Sequence, residues 1–132
     1  ITNSGDIIVK NKAIEIGSNK DFNNLEITNS GLISGTHSIH VSNSTNTGLN
    51  IITKEDGTYT GEIHLSGSAA TMTLDCSISK DQDIEIDGKT EMIIVNNLCG
   101  NDTYQILDAN KNLDSDNSVK IKNILKSRFN TA

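Results

Sequence analysis

The sequence predicts an all-β fold, a parallel β-solenoid of about five coils followed by a short C-terminal cap or helix. Three observations predict it. Apolar and polar residues alternate in short segments, as in strands with one buried face. These segments recur every 20 to 26 residues, and turn sequences rich in Asn, Ser, Asp and Gly separate them. The chain contains no proline, so every backbone N–H is available to a hydrogen-bonded ladder.

One predicted strand recurs along the chain at offsets of 25, 24, 21 and 20 residues. Its copies are Ile14–Gly17, Ile39–Ser42, Ile63–Ser66, Ile84–Asp87 and the degenerate Tyr104–Leu107. In each copy a polar residue lies between two residues with apolar side chains. We therefore expect the apolar pair to point into the core and the polar residue to point toward solvent.

A second predicted strand keeps the same period. Its copies are Leu25–Ile27, Leu49–Ile51, Thr71–Leu74 and Met92–Val95. The segment Ile1–Ile7 also returns as Ile27–Ile33, with six of its seven residues identical. Because two kinds of strand share one period, each repeat is expected to form one coil.

Stacking of the coils gives the repeat a physical reason. One coil cannot bury its own isoleucines, whereas neighbours above and below cover them and complete the backbone hydrogen bonds. The alternative fold is an antiparallel β-sandwich, which also contains short alternating strands at regular spacing. A sandwich gives no reason for strands two apart to repeat in sequence, so the solenoid is favoured.

Length and charge narrow the function. A chain of 132 residues makes one domain or part of one. Its net charge of −6 disfavours nucleic acid as a partner, since a phosphate backbone requires clustered Lys and Arg. The sequence has no run of eighteen apolar residues, which excludes a membrane-spanning helix. Because it begins at Ile1 rather than Met, we expect a processed product or a piece of a longer protein.

The repeated segments Ile1–Ile7 and Ile27–Ile33, followed by Ser34–Thr36 and the strand Ile39–Val41, carry a family resemblance. They resemble the coils of passenger domains of bacterial autotransporters, the type V secreted proteins. The resemblance covers about residues 1 to 110. It implies a right-handed β-helix that is exported through the outer membrane and displayed on the cell surface or released. Adhesins, toxins and the stalks of exported proteases share these motifs.

From this resemblance we expect an adhesive or structural surface rather than an enzyme, with no cofactor. The expected partner is a host-cell receptor, a glycan or another copy of the chain. Contact with a membrane is expected only through a C-terminal barrel that lies outside this sequence. The alternatives are a host-cell-binding toxin subunit, the stalk of an exported protease and a polysaccharide-active β-helix enzyme.

Cys76 and Cys99 are 23 residues apart, close to the local repeat. We therefore expect them at nearly the same position of adjacent coils. A rung of about 4.8 Å suits the Cα separation of a disulfide, and an extracellular chain favours the pairing. The alternative is two buried thiols that pack as small apolar residues.

Alignment of the recurrent strand predicts a column of outward polar side chains on successive coils: Glu15, His40, His64, Glu85 and Gln105. The favoured interpretation is a solvated ladder. Stacked imidazoles beside carboxylates are also able to bind a transition metal such as zinc or nickel. A third interpretation is a response to acid pH, in which the imidazoles become charged together. No metal is assigned from the sequence.

Two further groups bear on catalysis. Gly35–Ser38 superficially resembles the histidine motif of subtilisin-like proteases, but the chain has no Gly-Thr-Ser nucleophile segment, so His37 is expected in a turn. Asp83, Glu85 and Asp87 alternate along one predicted strand. Polysaccharide-cleaving sites combine acids in this way, but a charge run of this kind is expected to be a solvated face. No residue is therefore assigned a catalytic role.

The alternating pattern ends near residue 110, which divides the chain into solenoid coils at 1–110 and a C-terminal cap or linker at 111–132. Apolar residues in the second part follow helical spacing: Val119, Ile121, Ile124, Leu125 and Phe129. This part is basic, whereas the rest of the chain is acidic. We expect a helix that closes the open end of the solenoid. The alternative is a linker toward the membrane barrel.

Overall fold

A computed structural model describes residues 1–16, 25–42, 49–67, 70–78, 82–90, 93–99, 102–105, 112–113 and 115–127. It is a β-solenoid of about three turns with one short C-terminal helix. In chain order its elements are β1 (Thr2–Asn3), β2 (Asp6–Ile8), β3 (Lys12–Ile16), β4 (Glu26–Asn29), β5 (Leu32–Val41), β6 (Leu49–Thr53), β7 (Thr58–Gly67), β8 (Ala70–Leu74), β9 (Ile86–Thr90), β10 (Ile93–Asn97), β11 (Asp102–Gln105), β12 (Asn112–Leu113) and α1 (Ser115–Ser127).

The strands form two six-stranded sheets. In sheet A the spatial order is β1-β4-β6-β8-β10-β11, and in sheet B it is β12-β9-β7-β5-β2, with β3 also paired to β5. All pairs among β1 to β10 are parallel. The predicted parallel solenoid is therefore confirmed, and the antiparallel sandwich is excluded.

The C-terminal end of the stack differs from the rest. There β11 pairs with β10 and β12 pairs with β9, both in antiparallel orientation. A returning strand closes an edge without starting another coil, because it runs against the direction of winding. With about three turns in the structure, the five coils predicted from the sequence are not confirmed.

The core consists of apolar columns between the two sheets. The column of sheet B pairs residues of β3, β5, β7 and β9: Ile14, Ile39, Ile63 and Ile86. The column of sheet A, from β4, β6, β8 and β10, contains Ile27, Ile51, Met72 and Val95. All eight side chains are buried. Burial of each contributes about 1.5–3 kcal/mol, most of which depends on the coils above and below.

Polar side chains also stack inside the solenoid. Asn3, Asn29 and Thr53 are paired in register at the ends of β1, β4 and β6, and we call them the inner ladder. The Asn3 side-chain amide donates to Asn29 Oδ1 at 3.0 Å. The hydroxyl groups of Thr53 and Tyr59 are 2.6 Å apart. These bonds satisfy groups whose burial without partners would destabilise the fold.

The C-terminal helix α1 packs against β9 and β12 at the end of sheet B. The backbone N–H of Ile86 donates to Ser118 Oγ at 3.0 Å, and Ile121 and Leu125 are fully buried. The predicted helix is therefore confirmed. The division of the chain at residue 110 stays a prediction, and Phe129 lies outside the described residues. Among the described helical residues, no segment has the length and apolar character that crossing a membrane requires.

Candidate functional site

The outer face of sheet B brings the predicted histidines together. Glu15 pairs with His40, and His40 pairs with His64, in successive strands. The rings of His40 and His64 are stacked, with centroids 4.6 Å apart and planes 15° apart. The alternation of buried isoleucines with polar residues positions all three side chains outward. This part of the predicted column agrees with the strand register.

The next member of the column is Asp87, not Glu85, because His64 pairs with Asp87 in β7 and β9. The prediction was wrong by two residues. Ile84–Asp87 contains two possible inward isoleucines, and a shift of two residues keeps every side chain on the same face. Ile86, rather than Ile84, lies opposite Ile63. We call Glu15, His40, His64 and Asp87 the outer column.

Gln105 was also wrongly placed in this column. It lies in β11, which belongs to sheet A and pairs antiparallel with β10. Ile94 is its partner in that pairing. The degenerate copy Tyr104–Leu107 therefore does not continue sheet B, because the chain reverses direction before it reaches this segment.

His37 joins the site from a β-bulge that the sequence analysis missed. The pairing of β5 with β7 changes register between Ser34 and Ile39. Ser38 and Ile39 are consecutive and both fully buried, which interrupts the alternation and places His37 on the same face as His40. Their ring centroids are 5.2 Å apart. His37 was expected in a turn, whereas it lies within a ten-residue strand.

Glycines make this bulge possible. Gly61 in β7 has a φ of 92°, a backbone conformation that favours glycine. A Cβ atom on Gly61 would collide with the carbonyl oxygen of Gly35, which lies in the strand alongside. The Ser38 hydroxyl donates to the Gly61 carbonyl at 3.0 Å and so secures the irregular backbone. Closely packed glycines inside strands are the sequence signal that indicates the bulge.

Asp87 lies between two of the three histidines. Its Oδ1 atom is 2.9 Å from His64 Nδ1, and its Oδ2 atom is 3.7 Å from His37 Nε2. The three side chains are each about one third exposed or less, at 34%, 27% and 28%. The carboxylate therefore bridges residues that are far apart along the chain, in a partly desolvated position.

Glu62 adds a second carboxyl group beside Asp87. A hydrogen bond to Asp87, together with its negative charge and some burial, raises the pKa of Glu62, and only His37 opposes this effect. Glu62 lies in β7 opposite His37. The protonated form of Glu62, which can donate a hydrogen bond to Asp87, is therefore favoured.

His40 lies at the edge of this cluster. Burial lowers its pKa first, and the positive charges of neighbouring His64, Lys12 and His37 lower it further. Its Nδ1 atom is 3.2 Å from the Ser42 hydroxyl. His40 therefore favours the neutral form and stacks on His64 without adding charge to the site.

A pocket of about 300 Å³ lies beside the cluster, between the end of sheet B and α1. Its lining includes Glu62, Asp83, Glu85, Asp87, Ser118 and Lys122. The acids of the segment 83–87, which the sequence predicted as a solvated run, therefore converge on one concavity. Four carboxyl groups and a single lysine favour a cationic or hydroxyl-rich ligand over an anion.

The same cluster can hold a metal ion. His37, His64 and Asp87 each offer one ligand atom, and these atoms lie within 4.8 Å of one another. Imidazole nitrogen and carboxylate oxygen are ligands of zinc and other divalent transition metals. The metal-binding alternative from the sequence therefore gains a defined set of residues, one of which, His64, belonged to the predicted column.

Cys76 and Cys99 are both exposed in the structure. Leu74 pairs with Asn97 in β8 and β10, at the same 23-residue offset that separates the two cysteines. Each cysteine is thus the second residue after the end of its strand, on adjacent rungs. The disulfide stays a prediction, which oxidation of the purified chain tests directly. The alternative of two buried thiols is wrong.

Comparisons of the chain with protein-family models, with curated proteins and with solved structures found no match. Function is therefore inferred from the geometry of the solenoid and its two outer faces.

Proposed function

We propose that this chain is part of a secreted or surface-displayed bacterial passenger domain that acts as an adhesive and structural β-helix. Its partner is a glycan of the host surface, and a protein receptor or a second copy of the chain is the alternative partner. The observation that supports this proposal is the outer face of sheet A. There, polar side chains repeat from strand to strand in register.

Most of the repeated side chains of this face are hydroxyl and amide groups. Glu26, Asn50, Thr71 and Ile94 are paired in one row, and Thr28, Ile52, Thr73 and Asn96 form the adjacent row. The Thr73 hydroxyl donates to Asn50 Oδ1 at 2.8 Å, so neighbouring rungs hold one another in position. Rows of fixed hydrogen-bonding groups, with an apolar Ile52 among them, suit the hydroxyl groups and the apolar faces of sugar rings.

The proposal includes a right-handed winding and a solenoid of five coils. Crossover connections between parallel strands of one sheet are right-handed in about 98% of cases. Five parallel strands in sheet A, namely β1, β4, β6, β8 and β10, support the count of coils. In this proposal no residue has a catalytic role, and the chain needs no cofactor.

Binding to immobilised glycans tests the proposal with a matched pair of variants. Thr71→Arg places a large charged side chain on the outer face of sheet A, whereas Thr60→Arg places the same side chain on an exposed position of β7 in sheet B. We expect Thr71→Arg to weaken binding at least about tenfold, because even one desolvated charge costs more than 1.4 kcal/mol. Thr60→Arg is expected to leave it unchanged.

The binding results distinguish a glycan partner from a protein receptor or a second copy of the chain. Glycan binding that Thr71→Arg alone removes supports the proposal, and sedimentation of the free chain reports self-association. The adhesive role is contradicted if both variants lose glycan binding equally. It is also contradicted if the chain binds no glycan, no receptor-bearing cell and no second copy of itself. Melting temperatures of both variants verify that each remains folded.

A polysaccharide-cleaving enzyme is the second candidate, and the acidic pocket favours it. Glycoside cleavage uses two carboxyl groups, one of them protonated, and Glu62 has the raised pKa that an acid needs. The chain is incubated with neutral and acidic polysaccharides, and new reducing ends are measured. Turnover that Glu62→Gln removes would establish this candidate, whereas binding without turnover would exclude it in favour of the adhesive role.

A further inference from the structure

Three metal-ligating groups converge from three adjacent strands of sheet B. His37 lies in β5, His64 in β7 and Asp87 in β9, and one ligand atom of each lies within 4.8 Å of the others. Their side chains are 27% to 34% exposed. An ion from solution can therefore reach them, while the sheet beneath shields them from much of the water.

The distances match a small divalent ion. Zinc bonds of about 2.0–2.1 Å in tetrahedral geometry place neighbouring ligand atoms about 3.3 Å apart. His64 Nδ1 lies 2.9 Å and His37 Nε2 lies 3.7 Å from the two oxygens of Asp87, values on either side of that separation. The three ligand atoms lie within 4.8 Å of one another, so changes in separation of up to about 1.5 Å, within the reach of side-chain torsions, complete the geometry.

Different features of the backbone position the three ligands. His64 and Asp87 are direct partners in the parallel ladder between β7 and β9. His37 reaches the same face because of the bulge in β5; with strict alternation from the buried Ile39, its side chain would point into the core. The bulge thus turns a core position into a third ligand, and bulges are frequent beside functional sites.

Nearby carboxyl groups add negative charge and a hydrogen bond around the three ligands. Glu62 hydrogen-bonds Asp87, and the charge of Glu85 acts on Glu62. Hydrogen-bonded carboxyl groups behind a metal ligand orient that ligand and increase its affinity for the ion. The site is therefore selective for cations, and its two imidazoles favour transition metals over calcium and magnesium, which prefer oxygen ligands.

We propose that His37, His64 and Asp87 form a binding site for a divalent transition metal of the zinc class. Water occupies the fourth position, as in zinc sites with three protein ligands. On binding, the metal takes the place of the proton between His64 Nδ1 and Asp87 Oδ1. That proton is transferred through solvent to His64 Nε2, so the metal binds the neutral ring. This site lies on sheet B, so it is independent of the proposed adhesive face on sheet A.

Calorimetric titration with Zn²⁺ tests the site. The reference chain carries Cys76→Ser and Cys99→Ser, so that thiolates do not bind the ion. We expect one Zn²⁺ per chain. Three ligand variants, His37→Gln, His64→Gln and Asp87→Asn, are each expected to lower the affinity at least about 100-fold, and Glu62→Gln about tenfold, as for an outer hydrogen-bonding group.

Matched controls remove a carboxylate without touching the three ligands. Asp56→Asn alters an exposed turn outside the site, and Glu15→Gln alters the far end of the outer column. Both are expected to retain the affinity of the reference chain within about threefold, because each acts only as a distant, solvent-screened charge. Mg²⁺ and Ca²⁺ are expected to bind at least about 100-fold more weakly than Zn²⁺.

Ring signals in NMR spectra identify the ligands directly. Zn²⁺ is expected to shift the imidazole signals of His37 and His64 and to raise the melting temperature of the reference chain. Circular dichroism verifies the fold of every variant, and the isosteric Asp87→Asn is decisive where a histidine variant does not fold. No heat and no ring shifts, or Zn²⁺ affinity that survives Asp87→Asn, overturns the proposal.

Discussion

Two stacks of polar side chains run along the same solenoid and differ in what surrounds them. The inner ladder of Asn3, Asn29 and Thr53 lies inside, where the last two side chains have no exposure. The outer column from Glu15 to Asp87 lies on the surface of sheet B. The period of the chain builds both stacks, but burial decides what each contributes.

Inside, a buried polar group without a partner costs about 1–3 kcal/mol, and in the inner ladder Asn3 bonds Asn29 while Thr53 bonds Tyr59. The identity of each inner-ladder residue is therefore determined by structure. Outside, water satisfies the same groups, so residue identity has little effect on folding and is available for chemistry. We therefore expect substitutions in the inner ladder to lower the free energy of unfolding, and substitutions in the outer column to weaken ligand binding.

The largest expected effect is the loss of Asn29. Its Oδ1 accepts hydrogen bonds from Asn3 and from the Gly31 N–H at 3.0 and 3.1 Å, and its amide donates to the Thr58 carbonyl at 3.2 Å. Asn29→Ala removes these three hydrogen bonds at a fully buried position, so we expect the free energy of unfolding to fall by about 4 kcal/mol.

Urea denaturation of Asn29→Ala measures this loss. Asn50→Ala on the half-exposed outer face of sheet A is the matched control, with an expected loss below about 1 kcal/mol. Similar losses of unfolding free energy in the two variants would show that burial does not determine how much a polar side chain contributes to stability.

The buried isoleucines and one contact of the outer column were predictable from sequence, whereas the inner ladder was not predicted. Alternation identified the isoleucines that point inward, and these determined that His40 lies over His64. Alternation carries no information about shifts of two residues, so it assigned Glu85 where the structure has Asp87. The length of the coil decides the register. The 23-residue spacing of Cys76 and Cys99, applied to His64, leads to Asp87.

His37 was not predictable in this way. A bulge inserts a residue into the alternation, and the inserted residue reverses the expected orientation of its neighbours. The local signs were Gly35 and Gly61, which the sequence analysis assigned to turns or left aside. The site thus depends on the irregularity that a strictly periodic interpretation excludes.

A smaller effect is expected from oxidation of Cys76 and Cys99, which extends the comparison to a third column. Both lie two residues beyond paired strand ends, one rung apart. We expect mild oxidation to form an intramolecular disulfide that increases the free energy of unfolding by about 3 kcal/mol. Mass spectrometry detects the loss of two hydrogen atoms, and Cys76→Ser is the control. Formation of linked dimers alone would contradict the common rung position.

The pKa of Tyr59 reports how far water is excluded from the inner ladder. Burial raises the pKa of Tyr59 to about 12 from 10.0, and hydrogen bonds to Thr53 and Asn29 oppose the increase only in part. The neutral phenol is the folded form, so the associated stability is fully present below pH 10 and is lost as pH rises from 10 to about 12. We expect a loss of about 2 kcal/mol over this range.

Ultraviolet absorbance of tyrosinate measures this ionisation. Tyr104→Phe leaves Tyr59 as the single tyrosine of the chain, and Tyr59→Phe is expected to flatten the stability profile between pH 10 and 12. Ionisation of Tyr59 near pH 10 in the folded chain would show that water reaches the inner ladder.

The smallest expected effect on stability belongs to the outer column. His64→Gln removes a ring that is 27% exposed, and water can replace its hydrogen bond to Asp87, so we expect a loss below about 0.5 kcal/mol without metal. With Zn²⁺ at 100 times its dissociation constant, the unsubstituted chain is expected to gain about 2.7 kcal/mol and His64→Gln almost nothing. Urea denaturation of both chains, with and without Zn²⁺, measures the two differences. An exposed polar stack that serves ligand binding contributes to stability only when its ligand is bound. If His64→Gln without metal lowered the free energy of unfolding as much as Asn29→Ala, the outer column would instead be a second structural ladder.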